Sequence, residues 1–193
     1  MAKPIKPTPT CPEEEAYLAY IDEHRKNVYT AFMRFGSTLC LALSLVHGEY
    51  DVLRRFVSSH DNSKYGEEEF EGYRQWFYPK EGEEKDKDAF NKAWKHHYEH
   101  NPHHWKHHLA NGKPKPMSKL NIAEMILDWI AMSIKFKNSP LEWYKENKDK
   151  INLEKRTRDQ VESILVTLAA TKLYPFYVKK RTNKNGRRPV HKK

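Results

Sequence analysis

Histidine is the residue type most able to do chemistry here, because eleven of the 193 residues are histidines and seven lie between His96 and His108. Clustered imidazoles are typical of metal sites and of pH-sensitive surfaces. At helical spacing His97 and His100 share one face, as do His104 and His108. One helix face cannot hold all seven, so we expect two or three to meet at a metal and the others to lie around it or on the surface.

Two aspartates carry a second signal. Asp61 follows His60 directly at the end of an apolar helix, and Lys64 lies three residues further on. Asp128 is embedded in the apolar stretch EMILDWIAM. A buried carboxylate costs several kcal/mol unless its charge is offset by a metal, an arginine or a helix cap. We predict that Asp128 is a metal ligand, with an arginine or a cap as the alternative partner.

The pair His60-Asp61 resembles the signature of the HD-domain metal-dependent phosphohydrolases. In that superfamily the adjacent His and Asp bind one or two divalent metals, and an upstream histidine and a late aspartate complete the site. His24, in EHRKNVYTAF, is similar to the upstream histidine. His47 competes for this role, but Gly48 follows it, and we expect His47 to be structural or exposed. The ligands that the resemblance implies are His24, His60, Asp61, His97 and Asp128, joined by His103 or His104 if a second metal binds and Asp61 bridges.

A closer resemblance covers most of the chain. The segments HDNSKYGEEEFEGY, FNKAWKHHYEHNPHHW and IAEMILDW are similar to the HDLSKF, AW-x-HH, NPHHW and EMxxDW motifs of an uncharacterised family found in phages and bacteria. Asn62 and Tyr65 stand where that family more often has Leu and Phe, and His100, His107 and His108 look like local additions. This resemblance implies the fold and the site, and it leaves the substrate open.

A site of imidazoles and carboxylates suits Mn, Fe, Zn, Ni or Co better than Mg, as one ion or two. The HD resemblance implies hydrolysis of a phosphate ester by a metal-activated water, with Asp61 and Lys64 as the candidate catalytic residues. Lys64 would hold the phosphate, or else be a solvated lysine. Glu124, one helical turn before Asp128, is expected to orient a metal ligand. Arg158 is a weak candidate for substrate binding, with a surface salt bridge as the alternative.

The elements that position these residues are helices, because apolar residues recur at spacings of three and four and strand-like alternation is hard to find. We predict one compact all-α, HD-like domain of six or seven helices over residues 13–178, after a flexible proline-rich arm (1–12) and before a basic disordered tail (179–193). The first helix begins near Glu13 and either breaks at Gly36 or continues. Asn101-Pro102 is typical of a helix start and predicts a helix over HHWKHHLA.

The net charge of +9 is concentrated in the tail, where residues 179–193 carry eight Lys and Arg and no acid. We expect a solvated terminus, with weak contact to nucleic acid or an acidic partner as the alternative. Cys11 and Cys40 are too few for a disulfide framework. Because no apolar run has the length of a membrane span or the form of a signal peptide, we expect a cytoplasmic protein, in the host cytoplasm if a phage encodes it.

Three functions fit these observations. The leading one is a metal-dependent phosphohydrolase acting on a nucleotide or another small phosphate ester. A di-iron, HD-type oxygenase would use the same order of ligands. A non-enzymatic phage/host-interaction or nucleic-acid-associated binding protein would hold a structural metal. A structural site is closed by protein ligands, whereas a catalytic site keeps a position open, and the sequence does not distinguish the two.

Overall fold

The computed structural model describes residues 5–171. Within this range the chain forms seven α-helices: α1 Pro12–Ala42, α2 Glu49–Ser59, α3 Glu67–Phe77, α4 Lys87–His100, α5 Lys119–Phe136, α6 Pro140–Asn147 and α7 Lys155–Ala170. Two short strands, β1 Leu109–Ala110 and β2 Lys113–Pro114, pair in an antiparallel hairpin between α4 and α5. The predicted all-α fold of six or seven helices is confirmed.

Helix α1 is the longest element, and α2, α3, α5 and α7 pack against it. Proline at position 12 and acids at 13–15 occupy its first turn, where a fixed φ and negative charge both favour a helix start. The helix continues through Gly36, which is buried. A Cβ there would lie 2.8 Å from the ring of Phe32. The glycine therefore makes room for a core aromatic and does not break the helix.

Two apolar clusters meet along α1. The larger one contains Val28 of α1 and Ile126 of α5, among many residues of both helices. The smaller one joins Ile21 of α1 to Tyr73 of α3. His24 lies between Ile21 and Val28 on the same face of α1, since residues three and four apart are neighbours. His24 therefore lies on the buried face of α1 at the boundary between the two apolar clusters.

Helices α3 and α4 pack unusually closely, because Gly72 faces α4. A Cβ at position 72 would lie 2.6 Å from the carbonyl oxygen of Ala89 and 2.9 Å from the Cβ of Ala93. The loop between the two helices is also fixed: the fully buried guanidinium of Arg74 donates to Glu83 at 2.7 Å. Helix α3 is thereby held against α4, which carries the first of the clustered histidines.

The predicted helix over HHWKHHLA is wrong. Residues 102–104 form a turn, Trp105–His108 is a single turn of 3-10 helix, and β1 begins at Leu109. The backbone of His104 is extended, with φ −86° and ψ 128°. Neighbouring side chains on an α-helix point about 100° apart, so His103 and His104 can turn toward the same interior point only because the chain is not helical there.

The two termini are described in part. Residues 5–10 form no helix, and Lys6 contacts Asp22 of α1 at 2.6 Å, which holds this part of the proline-rich arm against α1. The basic tail 179–193, with its predicted contact to nucleic acid or an acidic partner, lies outside the described residues. Across residues 5–171, no helix has the length and apolar character needed to cross a bilayer.

Replacing Gly72 with alanine tests the close approach of α3 and α4. The new Cβ would overlap a backbone carbonyl that cannot move alone, and overpacking of this kind costs about 1–3 kcal/mol, offset in part by the better helix propensity of alanine. We expect the free energy of unfolding in urea to fall by about 1–2 kcal/mol. Lys92→Ala, at an exposed position of α4, is the control and should change it little. A Gly72→Ala protein as stable as the wild type would contradict the packing described.

Candidate metal centre

Five separate parts of the chain deliver polar side chains to one site in the interior. The structure brings together every residue predicted as a metal ligand: His24 from α1, His60 and Asp61 from the turn after α2, His97 from α4, His103 and His104 from the turn before the 3-10 helix, and Asp128 from α5. All of them are buried except His104 and Asp128, which are partly exposed.

The turn that carries His60-Asp61 is held in a conformation that a helix could not provide. Asp61 has φ 56°, in the left-handed region, which costs a non-glycine residue about 1–3 kcal/mol, although aspartate is one of the more tolerant types. Arg25 of α1 offsets this cost by donating to the carbonyl oxygen of Ser58 at 2.9 Å, to that of His60, and to the side chain of Asn62. Both ligands consequently face the same point.

Asp61 stands at the centre of the site and is 1% exposed. Its Oδ2 lies 3.4 Å from His24 Nε2, and its Oδ1 lies 3.3 Å from His97 Nε2 and 3.5 Å from His103 Nε2. Burial would raise the pKa of Asp61, but the charges of His60, Lys64 and His97 outweigh this and hold it well below its usual value. His60 Nε2 also lies 3.6 Å from Oδ1, so imidazoles surround both oxygens of one ionised carboxylate.

Four of these buried atoms have no hydrogen-bond partner among the described residues. They are Asp61 Oδ1 and the Nε2 atoms of His97, His103 and His104, and one ligand atom from each of these four residues can be chosen so that all lie within 4.8 Å of one another. Buried polar atoms in native proteins are nearly always paired, because an unpaired one costs stability. An unpaired carboxylate oxygen that faces the unpaired nitrogens of His97 and His103, with His104 beside them, is an arrangement that a cation satisfies.

The spacing of the ligand atoms is also that of a metal site. Bonds of about 2.1 Å to one ion place adjacent ligand atoms roughly 3.0–3.4 Å apart. His24 Nε2 lies 3.1 Å from Asp128 Oδ1, and 3.3 Å from His60 Nε2. His24, His60 and Asp128 form a second group of possible ligands within the same 4.8 Å limit. The chain therefore offers two adjoining groups of ligands with Asp61 between them.

Two buried glutamates orient the imidazoles by contacting Nδ1, the ring nitrogen that points away from the centre of the site. His97 Nδ1 donates to Glu69 at 2.7 Å, and His96 Nδ1 donates to the other oxygen of the same carboxylate at 2.8 Å. Glu124 lies 3.0 Å from His60 Nδ1, as expected for a residue that orients a ligand, and 3.5 Å from His103 Nδ1. Such contacts fix the ring and turn its Nε2 to the centre.

The carboxylates of Asp61 and Asp128 shift the pKa values of the buried groups around them. Burial would lower the pKa of His24, but hydrogen bonds to Asp128 and Asp61 raise it to about 9. Burial raises the pKa of Glu124 to about 8, and the same two aspartates add to the shift. Burial also lowers the pKa of His60 to about 4, so this ring is neutral near pH 7 and keeps a lone pair for a metal. A bound cation would offset the charge of the two aspartates, which raises the pKa of His24 and adds to the rise at Glu124.

A pocket of about 310 Å³ adjoins the site. Lys64 and Asp128 line it beside His24, and the side chain of Lys64 is 17% exposed. Lys64 Nζ lies 2.7 Å from Asp61 Oδ2. Burial would lower the pKa of Lys64, but the charge of Asp61 raises it. A charged lysine therefore reaches an open pocket next to the candidate ligands.

Other residues considered from the sequence lie elsewhere. Arg158 does not line this pocket. It donates to the carbonyl oxygen of Ile151 at 2.7 Å and to Tyr144 at 3.2 Å, and so fixes the loop before α7. His47 is exposed, as expected. The histidines interpreted as local additions bond to backbone carbonyls away from the ligand groups; they are His100, His107 and His108.

The contribution of Glu69 was not anticipated from the sequence. It stands in a run of three glutamates, 67–69, that resembles the acidic first turn of any helix. The available signal was its position one helical turn before Tyr73, which puts it on the apolar face of α3. Periodicity of the apolar residues would have separated Glu69, which is fully buried, from Glu67 and Glu68, which are exposed.

Arg25→Ala tests how far the His60-Asp61 turn depends on its clamp. Three charge-assisted hydrogen bonds are lost and the left-handed Asp61 is left without support, so we expect the free energy of unfolding to fall by about 2–3 kcal/mol in urea titrations. The neighbouring exposed residue gives the control, Lys26→Ala, which should stay within about 0.5 kcal/mol of the wild type. An equally small effect of Arg25→Ala would show that the His60-Asp61 turn is stable without the hydrogen bonds of Arg25.

Comparison with known proteins places the chain in one family. The model of a family of unknown function, DUF5662, matches residues 13–167, a range that contains all the candidate ligands. Searches of curated proteins and of solved structures give no match. The family match agrees with the resemblance to an uncharacterised family. The chain therefore belongs to the family DUF5662.

Proposed function

We propose that this protein is a metal-dependent phosphohydrolase that acts on a nucleotide or another small phosphate ester. One observation carries the proposal: four buried, unpaired ligand atoms converge beside a pocket that holds a lysine. The order of the ligands along the chain, H, HD, H, HH and D, supports it, because this order resembles the two-metal branch of the HD-domain hydrolases.

Two ions fit the arrangement of the ligands. One would be held by His24, His60 and Asp128, and the other by His97, His103 and His104. Asp61 would contribute to both, since its carboxylate lies within 3.6 Å of imidazoles from both groups. Neutral imidazoles combined with carboxylates suit Mn, Fe, Zn, Ni or Co.

The reaction follows from the groups that surround the ligands. Bound metal ions would acidify a water molecule and take up the negative charge that develops on the phosphoryl oxygens. Lys64 would bind a phosphoryl oxygen, because it is charged and reaches the pocket. Glu69 and Glu124 would keep the imidazoles from rotating, so that the ligand positions are set before a substrate enters.

Metal content is the first test of this proposal. Mass spectrometry of tag-free protein should find about one or two equivalents of a transition metal, and removal of the metal should lower the melting temperature. Asp61→Ala should lose the metal because it removes the shared ligand. The control is His107→Ala, which takes a histidine from the same stretch but not from the site and should keep the metal.

Three outcomes would contradict parts of this proposal. A folded wild-type protein that holds no metal, and that gains neither stability nor phosphatase activity from added Mn, Fe or Zn, would exclude the metal centre. Iron-loaded protein that consumes oxygen and releases no phosphate would favour the oxygenase. A bound metal with no turnover of any ester would favour a structural site in a binding protein.

Lys64→Ala tests the role of the lysine in binding phosphate. We expect the metal content to persist while kcat/KM for a phosphate ester falls about 10- to 100-fold, mainly through KM, because a charge-assisted contact to the phosphoryl group is lost. Lys106→Ala is the matched control, since Lys106 packs over Trp94 but does not line the pocket. If Lys64→Ala instead loses the metal and leaves KM unchanged in reloaded protein, Lys64 serves only to neutralise Asp61.

A further inference from the structure

The pocket beside the ligands has walls that metal binding does not require. Three helices line it with aromatic side chains, two from each of α1, α3 and α4: Tyr17, Tyr20, Tyr73, Phe77, Phe90 and Trp94. Several of these rings pack on one another. Tyr73 lies 5.8 Å from Phe90 and 6.3 Å from Phe77, measured between ring centroids. The wall is therefore a continuous aromatic surface, in which neighbouring rings pack against one another.

The aromatic wall stands at a fixed distance from the ligands along two helices. Tyr17 precedes His24 by seven residues on α1, and Phe90 precedes His97 by seven residues on α4. Residues at this spacing share a helix face. With a rise of 1.5 Å per residue, the wall extends about 10 Å from the level of the ligands. That length accommodates one phosphoryl group followed by one ring system.

The charge of the lining limits the number of phosphates. Lys64 is the one lysine or arginine among the residues that line the pocket, all of which belong to the described part of the chain. A first phosphoryl group would meet Lys64 and the metal ligands. Further phosphates would lie against Phe90 and its neighbouring rings, where nothing offsets their charge. The lining therefore favours a substrate with a single phosphate.

One polar atom in the aromatic wall is left without a partner. The hydroxyl group of Tyr17 is buried, the residue is 1% exposed, and no group among residues 5–171 bonds to it. A buried hydroxyl without a partner costs stability. Burial raises the pKa of Tyr17, and Tyr73, Asp61 and Glu69 add to the shift. The hydroxyl group is therefore protonated, and its hydrogen has no acceptor among the described residues.

We propose that the pocket binds phosphate monoesters of a planar aromatic ring, and that the hydroxyl group of Tyr17 donates a hydrogen bond to an acceptor atom on that ring. The phosphate half of this inference rests on the proposed function. The aromatic half stands on the wall itself and on the unpaired hydroxyl. Stacking on the wall would give affinity, and Tyr17 would give selectivity.

Binding of phosphonates separates this inference from catalysis, because a phosphonate is not hydrolysed. Calorimetric titration of the metal-loaded protein would compare methylphosphonate, phenylphosphonate and the pyridin-3-yl and pyridin-4-yl phosphonates. The pyridyl rings match phenyl in shape and add one acceptor nitrogen. We expect phenylphosphonate to bind at least about tenfold more tightly than methylphosphonate, and one pyridyl isomer to bind about 5- to 10-fold more tightly than phenyl.

Tyr17→Phe is the decisive variant, because it removes only the hydroxyl group. It should abolish the preference for the pyridyl ring, keep the preference for phenyl over methyl, and melt at the same temperature as the wild type or higher. The matched control is Tyr144→Phe. It removes a hydroxyl group that does not line the pocket and that donates to Glu162 at a distance of 3.1 Å. That variant should melt at a lower temperature and bind all four phosphonates as the wild type does.

The outcomes distinguish this inference from the proposed function. Aromatic selectivity without release of phosphate from phenyl phosphate would support the pocket and contradict the hydrolase. Equal binding of methylphosphonate and phenylphosphonate by a protein that does hydrolyse esters would overturn the pocket and leave the hydrolase intact. Binding of none of the four would overturn the pocket as well. A Tyr17→Phe protein that melts as low as Tyr144→Phe would show that the hydroxyl has a structural role and overturn its assignment to the ligand.

Discussion

The ionised carboxylate of Asp61, almost wholly removed from water, is the group on which the rest of the site depends. A buried charge has to be offset where it stands. Lys64 meets one of its oxygens, and imidazoles surround both. The remaining features follow from this requirement: α1 and α4 each bring a histidine to Asp61, and buried glutamates at positions 69 and 124 hold the rings so that their nitrogens point inward.

Local backbone preferences give way to that requirement at two places. Asp61 takes a left-handed conformation, stabilised by Arg25, so that two successive residues can face one centre. His103 and His104 leave the helix that Asn101-Pro102 would otherwise begin, for the same reason. In both cases two adjacent side chains must converge, which an α-helix does not permit. Two departures from local propensity thus lie at the candidate site, as is usual where function competes with regular structure.

Much of the fold follows from the sequence, because strongly periodic apolar stretches determine the helices. The first helix was expected from Glu13 and begins at Pro12, and the apolar helix around Asp128 forms as expected. The candidate ligands were identifiable because clustered histidines, and an aspartate within an apolar helix, both need a partner such as a metal ion. What the sequence concealed was pairwise geometry: whether Gly36 breaks a helix depends on the ring of Phe32 one turn away, and the partners of Glu69 lie on α4. The apolar period places Glu69 on the buried face of α3, but it does not say which side chain fills a given space or which histidine a buried carboxylate meets.

The seven-residue offset between rings and ligands on α1 and α4 has a consequence for divergence within the family. One turn of each helix faces the candidate ligands, and turns nearer the helix start line the adjoining pocket. Substitutions at positions 17, 20, 90 or 94 would reshape selectivity without displacing a ligand, since the two sets of side chains lie on different turns of the same rigid rods. Relatives that keep the ligands and change these rings would therefore have the same centre beside a pocket of different shape.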